Sequence, residues 1–138
     1  METVIYWDSS AVLSALGRES HTDDALSWLS QDGVHLISTL TVAETSSVLH
    51  RMRRAQAIDD ETLSDSLEVI ANLPWRLFRL SPAWDDIAEA ASRSGLKGAD
   101  LWHLSLALTL RKRQFPSVRV LTYDVKLLEA AAEEGLVR

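Results

Sequence analysis

The sequence contains no cysteine, and only three prolines and five glycines among 138 residues. Neither a disulfide nor a thiolate-ligated zinc site can hold the fold, which fits a reducing compartment. With so few breakers there is no linker, internal repeat or low-complexity tract. The expectation is one domain over residues 1–138, long enough to bury a core without staples. Long hydrophobic runs are missing too. The longest uncharged apolar stretch, LWHLSLALTL from Leu101 to Leu110, is far short of the ~20 residues that span a bilayer. The segment Glu2 to Trp7 lacks the basic region and apolar run of a signal peptide. A cytoplasmic location, away from any membrane, is expected.

Positive charge is in short supply. The net charge of −6 argues at first against a polyanionic partner, because phosphate binding needs cations. The charge is unevenly spread: residues 1–69 carry −8 and residues 70–138 carry +2. Such an acidic excess marks either solubility or clustered carboxylates that need a cation.

Short strands alternate with helices along the chain. Thr3–Trp7, Val34–Ser38, Trp75–Leu80 and Val118–Thr122 read as strands, with Leu136 and Val137 as a possible fifth. Helices are expected over Ser10–Leu16, Thr22–Leu29, Leu40–Gln56 and from an Asp59 cap to Ile70. Ser81-Pro82 reads as a cap followed by proline at the first position of a helix that stops at Gly95. A helix beginning near Ala99 is apolar nearly all round and should be buried. A last helix, Val125–Glu134, closes at Gly135. This alternation predicts an α/β fold, a central parallel sheet of four to five short strands with helices on both faces.

In such a sheet, ligands bind beyond the carboxyl ends of the strands. Asp8 follows the first strand and Asp124 follows Val118–Thr122. Glu44 lies in the first turns of the helix after Val34–Ser38, and Asp100 opens the buried helix. Each acid has a plain structural explanation: Asp8 and Asp124 as helix caps, Glu44 as an exposed helix acid, Asp100 as a partner of its own helix dipole. Four unrelated caps, however, have no reason to converge. Converged carboxylates repel unless a cation neutralises them. Oxygen-only ligands suit Mg²⁺ or Mn²⁺ rather than zinc. Such a site can make a nucleophile of water and stabilise a breaking phosphodiester.

The ordered set DSSAV, AETSSVLHR, GADLWHLSLAL and VLTYDVKLL resembles the PIN-domain ribonucleases, specifically the VapC-type toxins of toxin–antitoxin modules. The resemblance covers essentially the whole chain. It implies a PIN-like fold and a metal-dependent endoribonuclease that cleaves structured RNA, tRNA or rRNA, by in-line attack of activated water. It implies that Asp8, Glu44, Asp100 and Asp124 bind Mg²⁺ or Mn²⁺. Ser10 and Thr122 match the positions that assist the site, with Ser9 a lesser candidate. A homodimer and a cognate VapB-type antitoxin lying over the site are implied partners. One departure is GADLWHLSLAL, bulkier after its aspartate than the family's small residues, with Trp102 and His103 where the pattern varies.

Other residues invite a role. His103 stands three residues after Asp100 and reads as a packed or hydrogen-bonding histidine; His21, His35 and His50 show no partner pattern. No G-x-S-x-G elbow surrounds Ser9 and Ser10. The runs Arg51–Arg54 and Arg111–Arg113 lie at helix C-termini, roughly 10–17 Å from Glu44 or Asp100 by helical rise, where the dipole favours cations regardless of ligand. Arg93, Lys97 and Lys126 are the better candidates for phosphate contacts. The five tryptophans are expected mostly in the core, with Trp7 and Trp102 walling the site. A haloacid-dehalogenase-type site needs a second aspartate at position 10, which is Ser10. A receiver domain needs an acid ending a middle strand, and none ends Trp75–Leu80. The alternative is a non-catalytic PIN-like module that binds RNA or protein.

Overall fold

The computed structural model describes residues 2–72 and 74–137. Within them four strands, β1 (Val4–Trp7), β2 (Val34–Ser38), β3 (Trp75–Phe78) and β4 (Arg119–Leu121), form one parallel sheet in the order β3-β2-β1-β4. The register sets Tyr6 beside Leu36 and Trp7 beside Leu121. Six helices connect the strands, α1 (Ser9–Leu16), α2 (Thr22–Leu29), α3 (Thr39–Arg54), α4 (Asp60–Ile70), α5 (Trp84–Arg93) and α6 (Gly98–Arg113), and α7 (Val125–Glu133) follows β4.

The alternation of β1 divides the core in two, because successive side chains leave a strand on opposite faces. Val4 and Tyr6 pack with Leu36, Val120 and the buried residues of α5, α6 and α7. Ile5 and Trp7 pack with Ile37, Leu121 and the helices α1 to α4. Helices thus cover both faces, as the α/β reading requires. The all-round apolar helix is α6, whose residues His103 to Leu110 are all buried. At the entry to β2, Gly33 adopts φ +141° and a Cβ there would lie 2.4 Å from Thr3 O. Val34 N donates to that same oxygen at 2.8 Å, so this close approach needs glycine.

Three expectations need correction. The fifth helix starts at Trp84, with Ala83 as N-cap, so Pro82 precedes the helix rather than opening it. Ala83 N donates to Thr109 Oγ1 at 2.9 Å, and this bond from α6 sets the start. Leu136 and Val137 form no strand. Leu136 N and Gly135 N close α7 on Ala131 O and Ala132 O, and Leu136 O accepts only Val120 N at 2.7 Å. The sheet therefore has four strands. Finally, Trp7 is fully buried in the core and donates to His35 Nδ1 at 3.0 Å, so it walls no site. Trp84, 86 % exposed, is the tryptophan that leaves the core.

Candidate active site at the switch point of the sheet

Beyond β1 the chain moves through β2 to β3 on one side, whereas β4 lies on the other. The carboxyl ends of β1 and β4 therefore flank the switch point, where open α/β sheets form their ligand crevice. Asp8 stands at the end of β1, and its backbone N donates to Leu121 O of β4 at 3.2 Å. Thr122 follows β4 directly, and the two side chains meet: Thr122 Oγ1 donates to Asp8 Oδ2 at 2.5 Å. Ser10 Oγ donates to Asp8 Oδ1 at 2.7 Å, and Ala11 N donates to the same oxygen at 2.9 Å. Ser10 and Thr122 are themselves held, accepting from Tyr123 N at 2.9 Å and Asp124 N at 3.1 Å. Ser9 makes no side-chain hydrogen bond among the described residues.

Burial, the largest influence, pushes the Asp8 carboxyl above its ordinary value, and these three donors partly restore it. The carboxyl is almost fully enclosed. Asp8 is also the N-cap of α1. The cap explanation thus holds without exhausting the residue, since a cap uses one oxygen.

The same is true of Asp124. It caps α7 with Oδ1, which accepts from Leu127 N at 2.9 Å, and leaves Oδ2 without a hydrogen bond among the described residues. Asp100 sits in the first turn of α6, half-buried, and among the described residues neither of its oxygens accepts a hydrogen bond. Its carboxyl is pushed up by burial first, then by the negative charges of Asp124, Asp8 and Glu44. Asp100 therefore lies within electrostatic reach of all three other acids.

Glu44, half-buried on α3, is met by a residue that the sequence reading left aside. His103 Nε2 lies 2.6 Å from Glu44 Oε1, and His103 Nδ1 lies 2.5 Å from Tyr6 Oη. The signal available in sequence was the i, i+3 spacing of Asp100 and His103, which puts both on one face of the helix. Tyr6 carried no such signal, because its place beneath α6 depends on the fold.

The donor chemistry suits a hard divalent cation: only carboxylate oxygens, several without hydrogen bonds among the described residues, with the charges of the other three acids acting on Asp100. Among the described residues no three His, Asp or Glu side chains form a group ready to hold an ion. The acids share a field rather than a closed coordination shell.

The proposed phosphate-binding cations differ in their freedom. Arg93 is compensated: Nε and Nη2 donate to Glu134 at 2.8 and 2.7 Å, and Nη1 donates to Glu89 at 2.7 Å. Lys97, the N-cap of α6, and Lys126, on α7 next to Asp124, are exposed and unpaired among the described residues. Of the basic runs, Arg53 pairs with Asp60, Lys112 with Asp86 and Glu89, and Arg111 donates to Glu134 O. Trp102 is half-buried against the α5–α7 core. A groove of about 790 Å³ runs between α1, α3 and α4, and none of the four acids lines it.

The PIN domain family model matches residues 5–134, and the chain belongs to that family. No curated protein matches the chain. Among solved structures it is similar to VapC20 of Mycobacterium tuberculosis, described as a sarcin–ricin loop cleaving toxin. That match has a TM-score of 0.61 at 14% identity, covering 91% of this chain and 94% of that one. It is also similar to PAE2754 from Pyrobaculum aerophilum, with a TM-score of 0.62 at 18% identity, covering 95% and 87%. At these identities the likeness is one of fold.

Proposed function

We propose that this PIN-domain protein is a metal-dependent endoribonuclease of the VapC toxin type, acting on structured RNA and neutralised by a small cognate antitoxin. The observation that carries the reading is the arrangement at the switch point. Asp8 is fixed by two side-chain hydroxyls and a helix N–H, while Asp100 lies in the field of Asp8, Glu44 and Asp124. Carboxylates held in mutual repulsion destabilise a fold unless a cation uses them. The fold shared with an RNA-cleaving toxin supports the same reading.

In this reading Asp8, Glu44, Asp100 and Asp124 hold Mg²⁺ or Mn²⁺. When bound, the ion supplies a water that is nucleophilic near neutral pH and neutralises charge gathering on the phosphodiester. The chain's own residues prepare the site. Thr122 and Ser10 favour the charged form of Asp8 against its burial and orient it by donating to both of its oxygens. The caps of α1 and α7 fix Asp8 and Asp124 on backbone, so neither needs to be ordered when substrate arrives. Lys97 and Lys126 flank the acids in sequence and, unpaired among the described residues, are the cations offered to the RNA backbone; Arg93 joins them only by releasing Glu89 and Glu134. The protein is proposed to act as a homodimer.

The test is cleavage of a mixed tRNA and rRNA pool by the wild type and by Asp8→Asn, in Mg²⁺ or Mn²⁺ and in chelator. Cleavage by the wild type only, and only with metal, is expected. Equal cleavage by both proteins would assign the activity to a contaminant. Binding of RNA with no cleavage under any metal would favour the non-catalytic module instead.

A further inference from the structure

Glu44 and Asp100 reach the site from opposite sides of the sheet. Glu44 stands on α3, which packs with α1, α2 and α4, and Asp100 stands on α6, in the opposite layer. Their like charges push them apart. The contact that bridges the two helices here is the 2.6 Å hydrogen bond between His103 Nε2 and Glu44 Oε1. His103 lies one turn beyond Asp100 on the same face of α6, so this bond draws Glu44 to the turn next to Asp100.

The imidazole is in turn fixed from below. Thr41 Oγ1 donates to Trp7 O at 2.9 Å, and Ser38 Oγ accepts Thr41 N at 3.1 Å. The Ser38 hydroxyl hydrogen then has Tyr6 Oη at 2.8 Å and, farther off, Thr41 Oγ1 at 3.2 Å; taking the shorter contact, it leaves the Tyr6 hydrogen for His103 Nδ1 at 2.5 Å. An imidazole that accepts at Nδ1 carries its hydrogen on Nε2. Every hydrogen in the chain Ser38–Tyr6–His103–Glu44 therefore points toward the carboxylate. All of these donors are buried, and His103 is 1 % exposed. A network of this kind, with each member satisfied, rigidifies its end group.

We propose that His103, locked by Tyr6, is the positioning residue that holds Glu44 beside Asp100, tying one Glu44 oxygen and leaving the other for the cation. The inference rests on the acid-site reading above. It assigns a role to two buried residues that bear no carboxylate and touch no substrate. Partners of this kind behind metal-binding groups typically contribute 10–100-fold in affinity.

The experiment compares the wild type with His103→Leu, His103→Gln, Tyr6→Phe and Glu44→Gln. Mn²⁺ affinity is measured by calorimetry on the folded, RNA-free protein, and the ring nitrogens of His103 are observed by long-range ¹⁵N–¹H NMR. His103→Leu is expected to weaken Mn²⁺ binding about 10–100-fold. His103→Gln, whose amide can still donate to Glu44, should recover much of the loss. Tyr6→Phe keeps the packing and removes only the lock, so it should weaken binding less, by about threefold or more. In the wild type the NMR signature should show hydrogen on Nε2 and none on Nδ1; a hydrogen on Nδ1 overturns the lock. Should Glu44→Gln lose Mn²⁺ while His103→Leu and Tyr6→Phe both bind as the wild type does, the positioning role is overturned alone. If Glu44→Gln also binds normally, the acid-site reading falls and takes this inference with it.

Discussion

Asp100 and Asp86 are both first-turn acids on neighbouring helices, and their surroundings could hardly differ more. Asp86, on α5, is buried, but Lys112 Nζ donates to it at 2.6 Å and Thr109 Oγ1 donates at 2.6 Å. Burial pushes the Asp86 carboxyl up, and the Lys112 and Thr109 hydrogen bonds outweigh it, so the net direction is down. Glu89 extends the network to Lys112 and Arg93, which hold its carboxyl down at about 2, and Arg93 reaches on to Glu134. Asp100 has no such donor and feels three other acids, so its carboxyl is pushed up. One cluster fastens α5, α6 and the end of α7. The other works against the fold and is retained all the same. Acids neutralised by lysine and arginine need nothing more, whereas acids left in mutual repulsion are available to a ligand of the opposite charge.

The comparison can be broken from either side. The largest effect is expected from Asp100→Asn. RNA cleavage should fall by more than the roughly 10–100-fold typical of outer-shell partners. In chelator, the melting temperature of that variant should rise, because a repelled charge has been removed. A fall in both would place Asp100 among ordinary structural acids. Next is Lys112→Met, which strands the buried Asp86. It should lower the melting temperature on the order of a few degrees and leave cleavage unchanged; lost cleavage with a normal melting curve would contradict the separation of the two clusters.

Acid titration sharpens the contrast. Groups with depressed folded values, Glu89 and Asp86, contribute stability above their unfolded values that is lost as pH falls through the folded ones. For Glu89 this window runs from 4.5 down to about 2. Asp8 and Asp100, raised in the fold, behave oppositely: they contribute below their unfolded value of 3.8, and the contribution is lost as pH rises through the folded values. Melting curves in chelator should therefore show the gain from Asp100→Asn shrinking as pH falls below neutral. The cost of Lys112→Met should persist to lower pH and shrink only in the Glu89 window. Identical pH profiles for the two variants would erase the distinction.

Smaller effects are expected at the rim. Thr122→Val removes one of three donors to Asp8, at a cost of about 1 kcal/mol in stability, and cleavage should fall less than in Asp100→Asn. Removing Lys97 and Lys126 together should weaken RNA binding a few-fold and flatten its salt dependence, because each phosphate contact releases counterions. An unchanged salt slope would place the RNA elsewhere.

Much of this was legible in the sequence, for identifiable reasons. Strand and helix periods gave all four strands and the two-faced arrangement. An acid placed directly after a parallel strand must lie at the ligand edge, which located Asp8 and Asp124 before any coordinates. Ser10 and Thr122 were found by family resemblance, and the structure puts both on Asp8. What could not be read depends on contacts between distant segments. The start of α5 is set by Thr109 on another helix, which overrides the local Ser81-Pro82 signal. Trp7 faces the core because of the pleat of β1, although it adjoins Asp8. Arg93 looked free because its partner Glu134 lies 41 positions away. The Tyr6–His103–Glu44 chain spans three elements and leaves only the Asp100–His103 spacing as a trace.

The most direct measurement is the melting temperature of the wild type and of Asp100→Asn across a Mn²⁺ titration to millimolar concentration. Anything that binds only the folded state raises its melting temperature. The wild type should rise steadily with Mn²⁺ and overtake the variant, whose own curve stays nearly flat. A wild type that melts at the same temperature with Mn²⁺ as with chelator would mean that the four acids hold no cation.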